Sequence, residues 1–266
     1  MERTMVIKIG GSVLTEKGKD ELVVRREVIK GIARELKNIW MEMGFRFVII
    51  HGAGSAGHPV VRRYNLQEGL IGSVQRLGVM EVQRRLAILR CELIEEFLNE
   101  GLPVFSVNTS SIITSRDGDI VKIFIDPIIR SLELGFMPIL SGDIVFDEEK
   151  GVAICSGDKL SFELAMKLNI KLIVFGVDVD GIYPSPDLKG EPIRLIHYGD
   201  LSTIVEKIGG SKGIDVTGGM KGKILEALSH PAYFKQGGEV WILNMLKRES
   251  LIKALNGEGN FTKIVP

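Results

Sequence analysis

The segment Met5-Val-Ile-Lys-Ile-Gly-Gly-Ser-Val-Leu-Thr-Glu-Lys17 sets an apolar run directly against a glycine turn. Val6-Ile7-Lys8-Ile9 predicts a buried strand that carries one lysine, and it stops at Gly10-Gly11-Ser12, where the backbone can bend sharply. Glycines without β-carbons let backbone N–H groups converge on an anion. Ser12 adds a hydroxyl, and Lys8 and Lys17 bracket the turn with positive charge. In outline this is a phosphate cradle. By itself the same turn is equally compatible with a plain strand-to-helix connection, so the remaining segments must supply matching parts.

Downstream, residues 22–43 place Val24, Val28, Ile32, Leu36, Ile39 and Met43 at helical spacing, closed by Gly44. Residues 45–50 form the next strand and lead into His51-Gly-Ala-Gly-Ser-Ala-Gly-His58-Pro59. A long amphipathic helix follows over 73–100, ended by Gly101 and Pro103. Strands are expected at 103–108, 120–125 and 137–140, with a hairpin of 144–147 and 152–155. A helix at 160–168 leads to a strand at 171–177 and then to Asp178-Val-Asp-Gly181. A looser, proline-containing region extends to about residue 213. Asp215-Val-Thr-Gly-Gly-Met-Lys-Gly-Lys223 opens another helix, and 239–243, 250–256 and 261–265 read as strand, helix and strand. Alternation of this kind implies an α/β fold with a mostly parallel sheet covered on both faces. Ligands of open α/β sheets bind beyond the carboxyl ends of strands, and four glycine-bearing loops (10–12, 52–57, 142–143 and 178–181) follow strands directly.

The chain has 266 residues, enough for one large domain or two lobes sharing a sheet. Its 34 basic and 34 acidic residues cancel, which argues against a nucleic-acid partner. Cys91 and Cys155 match no metal-ligand spacing and form no disulfide framework, as expected of a cytoplasmic protein. The N-terminus lacks the pattern of a signal peptide, and no apolar run approaches the roughly 18 residues of a membrane span.

Gly52-Ala-Gly-Ser-Ala-Gly57 formally matches a dinucleotide fingerprint. A nicotinamide enzyme would need an acidic residue at the end of a second strand about 20 positions on, and Glu81, near that distance, falls inside a helix. These glycines are therefore taken as a second phosphate loop. Neither a Walker P-loop nor the protein-kinase signature set is present. His58, at a helix start behind three glycines, is placed to donate to an anion, whereas His51, His197 and His230 read as structural. Gly218-Gly219-Met220 before a helix bearing Lys223 suits a polyphosphate. Asp143 is assigned to orienting Lys8 and Lys17, Asp158 to capping the following helix, and Asp178 and Asp180 to a ribose or a metal-bound water.

Lys-x-Gly-Gly-Ser at 8–12, the loop 52–57, Gly-Asp at 142–143, Asp-Val-Asp-Gly at 178–181 and Thr-Gly-Gly-Met-x-x-Lys at 217–223 together resemble the amino acid kinase superfamily. Within it, His-Gly-x-Gly-Ser-x-Gly-His-Pro at 51–59 and the 215–223 motif are similar to the isopentenyl phosphate kinases of archaeal type. The fosfomycin kinases, with a related loop, are the nearest rival, and a sensor that lost catalysis is the non-enzymatic alternative. The resemblance implies a three-layer αβα sandwich with an open sheet, an acceptor lobe over 1–170 and a nucleotide lobe over 171–266, one continuous sheet and a homodimer. It implies ATP and Mg2+ as cofactors and conversion of isopentenyl phosphate to isopentenyl diphosphate in a variant mevalonate route. By motif position, His58 with Ala53, Gly57 and Gly157 binds the acceptor phosphate. Lys8, Gly10, Gly11, Ser12 and Gly54 hold the transferred and β-phosphates, Lys17 steadies the transition state, and Asp178, Gly218, Gly219 and Lys223 serve the nucleotide. Two residues depart from the family pattern: Ala56 stands where phenylalanine is common, and Lys159 where an acidic or amide residue is frequent.

Overall fold

A computed structural model describes residues 3–16, 21–185, 188–209 and 216–266. Lys17 and Asp215 lie outside the described residues. The first half of the chain runs β1 (Thr4–Ile9), α1 (Gly11–Leu14), α2 (Arg26–Met43), β2 (Arg46–His51), α3 (Gly54–Arg63), α4 (Ser73–Glu100) and β3 (Val104–Ser106). Next come α5 (Thr109–Ile112), β4 (Ile113–Arg116), β5 (Asp119–Ile123), α6 (Asp126–Glu133), β6 (Met137–Ser141), β7 (Asp143–Asp147) and β8 (Gly151–Cys155). The rest comprises α7 (Gly157–Lys167), β9 (Leu172–Val177), β10 (Leu195–His197), α8 (Leu201–Gly209), α9 (Val216–Leu228), α10 (Pro231–Lys235), β11 (Glu239–Asn244), α11 (Ser250–Leu255) and β12 (Phe261–Val265).

Among the described residues, eight strands form one sheet in the order β10-β12-β11-β9-β1-β2-β6-β3. The block from β11 to β3 is parallel, while β12 runs antiparallel to β11. Strands from both halves of the chain are continuous across β1, which pairs with β2 on one side and β9 on the other. Period-two alternation sorts β1 between two cores. Met5, Ile7 and Ile9 enter one with side chains of α2, α4 and α11, and Val6 enters the other with those of α6, α7 and α9. Helices thus cover both faces, giving the αβα sandwich. Helix α2 illustrates why: Ile29, Ile32, Ala33, Leu36 and Ile39 recur at helical spacing and are buried, each large one contributing about 1.5–3 kcal/mol. Helix α4 ends where Gly101 adopts φ 81°, a left-handed conformation that stops the helix without a β-carbon clash.

Three local expectations are corrected. Strand β4 appears beside β5, and the two join the β7–β8 hairpin in a separate four-stranded sheet of order β5-β4-β7-β8. The region read as loose contains β10 and α8, and α10 follows α9. Strand β10 has three residues with Ile196 alone buried, too short for a periodicity signal.

Candidate active site

Parallel neighbours β9, β1, β2 and β6 bring the loops at 178–181, 10–12, 52–57 and 142–143 to one edge of the sheet. The loops touch. Gly10 N donates to Gly176 O at 2.8 Å, Gly52 N to Ile9 O at 2.8 Å, and Gly142 N to His51 O at 3.1 Å. A β-carbon on Gly11 would overlap the Gly54 backbone, and one on Gly52 would lie 2.6 Å from Gly11 N. Gly54 opens α3 at φ 50°, with Ala53 as its N-cap. Thr15, which the motifs did not flag, pins the two loops together: its hydroxyl donates to Gly11 O at 2.9 Å and accepts from Ser55 N at 3.0 Å. Ser12 lies half-buried in α1.

Lys8 shares the β1 face of Val6 and so points towards α7. Its Nζ sits 2.9 Å from Asp158 Oδ1, and Lys223 Nζ sits 3.1 Å from Asp158 Oδ2. One carboxylate therefore holds together two buried lysines that come from opposite ends of the chain. Burial lowers the Lys8 pKa, with the neighbouring Lys223 charge adding to it and Asp158 opposing. Burial alone would raise the Asp158 carboxyl, but Lys8 and Lys223 outweigh it and hold its pKa down to about 2. Gly157 leaves room for this arrangement, since a β-carbon there would stand 3.3 Å from Lys8 Cε.

Two aspartate assignments change accordingly. Asp143 is not the residue orienting Lys8: it accepts from Ile144 N at 2.8 Å and bonds Ser110, and burial raises its pKa. Position 143 lies past the end of β6, beside the α5 turn, whereas Lys8 faces α7. Asp158 is not the cap of α7. Ser156 is, its Oγ accepting from Lys159 N at 3.0 Å, which frees Asp158 for the lysines. The sequence signal was present in Ser156-Gly157-Asp158, where a serine already occupies the cap.

His58 lies exposed on α3. Partial desolvation, then the charges of Lys8, Arg62 and Lys223, lower its pKa, Asp158 acting against them. His51 is fully buried, and burial followed by Arg90 and Lys8 brings its pKa to about 3, leaving it neutral at physiological pH. Arg90, another residue the sequence did not single out, is buried on α4, donates to Ser141 Oγ at 3.0 Å and also bonds Asn108. His197 and His230 bond backbone carbonyls of Pro266 and Glu226.

On the far side of β1, Asp178 lies half-buried at the end of β9. Asp180 is engaged structurally, accepting from Asn244 Nδ2 at 3.0 Å and pairing with Lys247 at 2.7 Å. Gly218 and Gly219 fall in the first turn of α9, and Gly219 O accepts from Lys223 Nζ at 3.3 Å. Glu81, the residue a dinucleotide fold would have needed, pairs with Arg85 and Arg63. Among the described residues no group of three His, Cys, Asp or Glu is placed to hold a metal ion, and no helix is long and apolar enough to cross a membrane. The site thus sets two ammonium groups on one carboxylate beside glycine-rich strand ends, an arrangement chemically suited to anions.

The model of the amino acid kinase family matches residues 3–237. The chain is 31% identical over 260 residues to isopentenyl phosphate kinase of Methanothermobacter thermautotrophicus, covering 96% of each. It is 30% identical over 268 residues to that of Methanocaldococcus jannaschii, covering 97% of each. A crystal structure of an isopentenyl phosphate kinase superposes with a TM-score of 0.80 at 28% identity, covering 98% of this chain and all of the other. On these grounds the chain belongs to the amino acid kinase family and, within it, to the isopentenyl phosphate kinases.

Proposed function

We propose that this protein transfers the γ-phosphoryl group of ATP to the phosphate of isopentenyl phosphate, yielding isopentenyl diphosphate and ADP in isoprenoid biosynthesis. An oxygen of the acceptor phosphate attacks the γ-phosphorus, and the bond to the β-phosphate oxygen breaks, leaving on ADP. The observation that carries this reading is the Asp158 bridge between Lys8 and Lys223, which sets two ammonium groups among the glycine loops beside His58. Each pair of unit charges about 4 Å apart on two polyanions repels by about 4 kcal/mol at an effective dielectric of 20, so convergent cations are the main requirement. Phosphoryl transfer is loose and needs positioning more than covalent help. A phosphate acceptor, with a second pKa of about 6, is already anionic and requires no general base.

Lys8, Gly10, Gly11, Ser12 and Gly54 hold the transferred and β-phosphates. Asp178, Gly218, Gly219 and Lys223 serve the nucleotide from the 171–266 lobe, and His58, Ala53, Gly57 and Gly157 receive the acceptor from the 1–170 lobe. Lys17, by its motif position, steadies the transition state. Magnesium would enter with the nucleotide phosphates and supply charge neutralisation there, and Asp178 would be the carboxylate to meet its bound water. A prenyl tail fits the acceptor side. There α4 packs on α3, with Gly78 against the Tyr64 ring, and leaves Ile71, Val74 and Leu77 exposed. Ala56 is fully buried in the core shared with α4, so its departure from phenylalanine alters packing on that side. Free Cys91 and Cys155 fit a cytoplasmic location, and the β3 edge, where the Phe105 and Phe136 rings are exposed 5.9 Å apart, fits a homodimer contact.

The test is ADP release and product identification by phosphorus NMR with isopentenyl phosphate, dimethylallyl phosphate, fosfomycin or no acceptor. Isopentenyl diphosphate is expected as the preferred product. His58→Ala should raise the acceptor KM about 10- to 100-fold, the worth of one charge-assisted hydrogen bond, and leave the ATP KM near its starting value. Unchanged acceptor dependence in that variant would remove the histidine from the site.

A further inference from the structure

Lys159, in the first turn of α7, makes contacts on two sides of the helix start. Its backbone N–H closes the first turn of α7 on Ser156, while its side chain reaches out of the helix to the β4–β5 turn. There Nζ donates to Gly118 O at 3.0 Å and to Asp119 Oδ1 at 2.8 Å. The pKa values shift as an ion pair requires: Asp119 is lowered by Lys159, and Lys159 is raised by Asp119 against the opposing effect of burial.

The tethered turn belongs to the four-stranded sheet, and that sheet is rooted in the site. Its β7–β8 hairpin is inserted between Gly142 and Gly157, and a β-carbon on Gly142 would lie 2.9 Å from Gly157 N. Its far turn is bonded to the segment after α3, Leu70 N donating to Lys150 O at 2.8 Å. Asp147 binds the two hairpins into one body, accepting from Gly118 N at 2.9 Å, Asp117 N at 3.1 Å, Glu149 N at 3.0 Å and Lys150 N at 2.9 Å. Gly142 and Gly157 are the two ends of the hairpin, so the seating of this body sets their backbones, Gly157 being the glycine assigned to the acceptor. The Lys159 ammonium ties the body to α7 one residue beyond Asp158.

Resting on the kinase reading above, we infer that Lys159 is a positioning residue for the acceptor: by bridging α7 to the 118–119 turn, it holds the four-stranded sheet against the acceptor end of the cleft. Asp119 is largely exposed, so the bridge is weak and reversible, as a cover that must admit and release substrate requires. Its influence falls on acceptor binding, because the nucleotide loops at 178–181 and 218–219 belong to other strands and helices.

The experiment is a charge-swap cycle in the full-length protein: Lys159→Asp, Asp119→Lys and the double variant, each measured for acceptor KM, ATP KM, kcat and melting temperature. The single variants are expected to raise the acceptor KM about three- to fivefold, with ATP KM and melting temperature within error of the parent, and the double variant to recover at least half of that change. An acceptor KM unchanged in both single variants, or a change matched in ATP KM, or no recovery in the double variant, would overturn the assignment. A parent protein that forms no isopentenyl diphosphate would instead overturn the kinase reading, and the two failures are distinguished by that first measurement.

Discussion

Asp158 is the residue on which the cationic cleft depends. Its carboxylate is buried between two ammonium groups, and removing one member of such a group leaves uncompensated buried charge, a loss of about 3–5 kcal/mol. Asp158→Asn should therefore lower stability by that amount in chemical denaturation and, by letting Lys8 and Lys223 separate, reduce kcat on the order of 100-fold. The variant should also change the pH profile. Lys8 must be protonated to hold phosphate, and burial already lowers its pKa while Asp158 opposes the fall. Without Asp158 the pKa drops further, so activity is lost on raising pH at a lower value than in the parent. An alkaline limb that stays in place would disprove the coupling. The sequence named Lys8 and Lys223 through their motifs, yet assigned the carboxylate that orients Lys8 to Asp143, because spacing along the chain does not tell which of two Ser-Gly-Asp segments faces β1.

Among the elements, the glycine turn at 10–12 is legible because it is local, whereas α3 opens at Gly54, ahead of the helix start read at His58, and carries Pro59 inside it. Strand propensity stops at Gly10, and glycine permits the close approach of the 10–12 and 52–54 backbones. Gly11→Ala places a methyl group into the Gly54 backbone. We expect an overpacking cost of about 1–3 kcal/mol in thermal unfolding and a raised ATP KM from displaced amides. Wild-type ATP affinity in that variant would show that the two turns need not touch. Helix α4 was legible through Val82, Leu86, Leu89, Leu93 and Phe97, which recur at helical spacing and are buried, and through the glycine that ends it. Strands β4 and β10 were not. They have four and three residues, and although β5 follows β4 directly, the other partners, β7 of β4 and β12 of β10, lie elsewhere in the chain.

For the whole molecule, β3 ends the large sheet as a three-residue edge strand with Phe105 exposed, an edge that a second copy would cover. Phe105→Lys should convert a dimer to monomer in sedimentation velocity, while a dimer persisting at micromolar concentration would place the interface elsewhere. Alternating strands and helices with glycines at strand ends determined, from sequence alone, an α/β fold with a mostly parallel covered sheet and the loops at its strand ends, because period and turn chemistry are properties of neighbouring residues; the kinase reading came from the resemblance of the motifs. Tertiary structure alone decided that Asp158 clasps Lys8 and Lys223, that Thr15 pins two loops, and that β5, β4, β7 and β8 form a second sheet. Those contacts join residues up to 150 positions apart, and their energy depends on burial and charge proximity, which exist only once strands have chosen their neighbours.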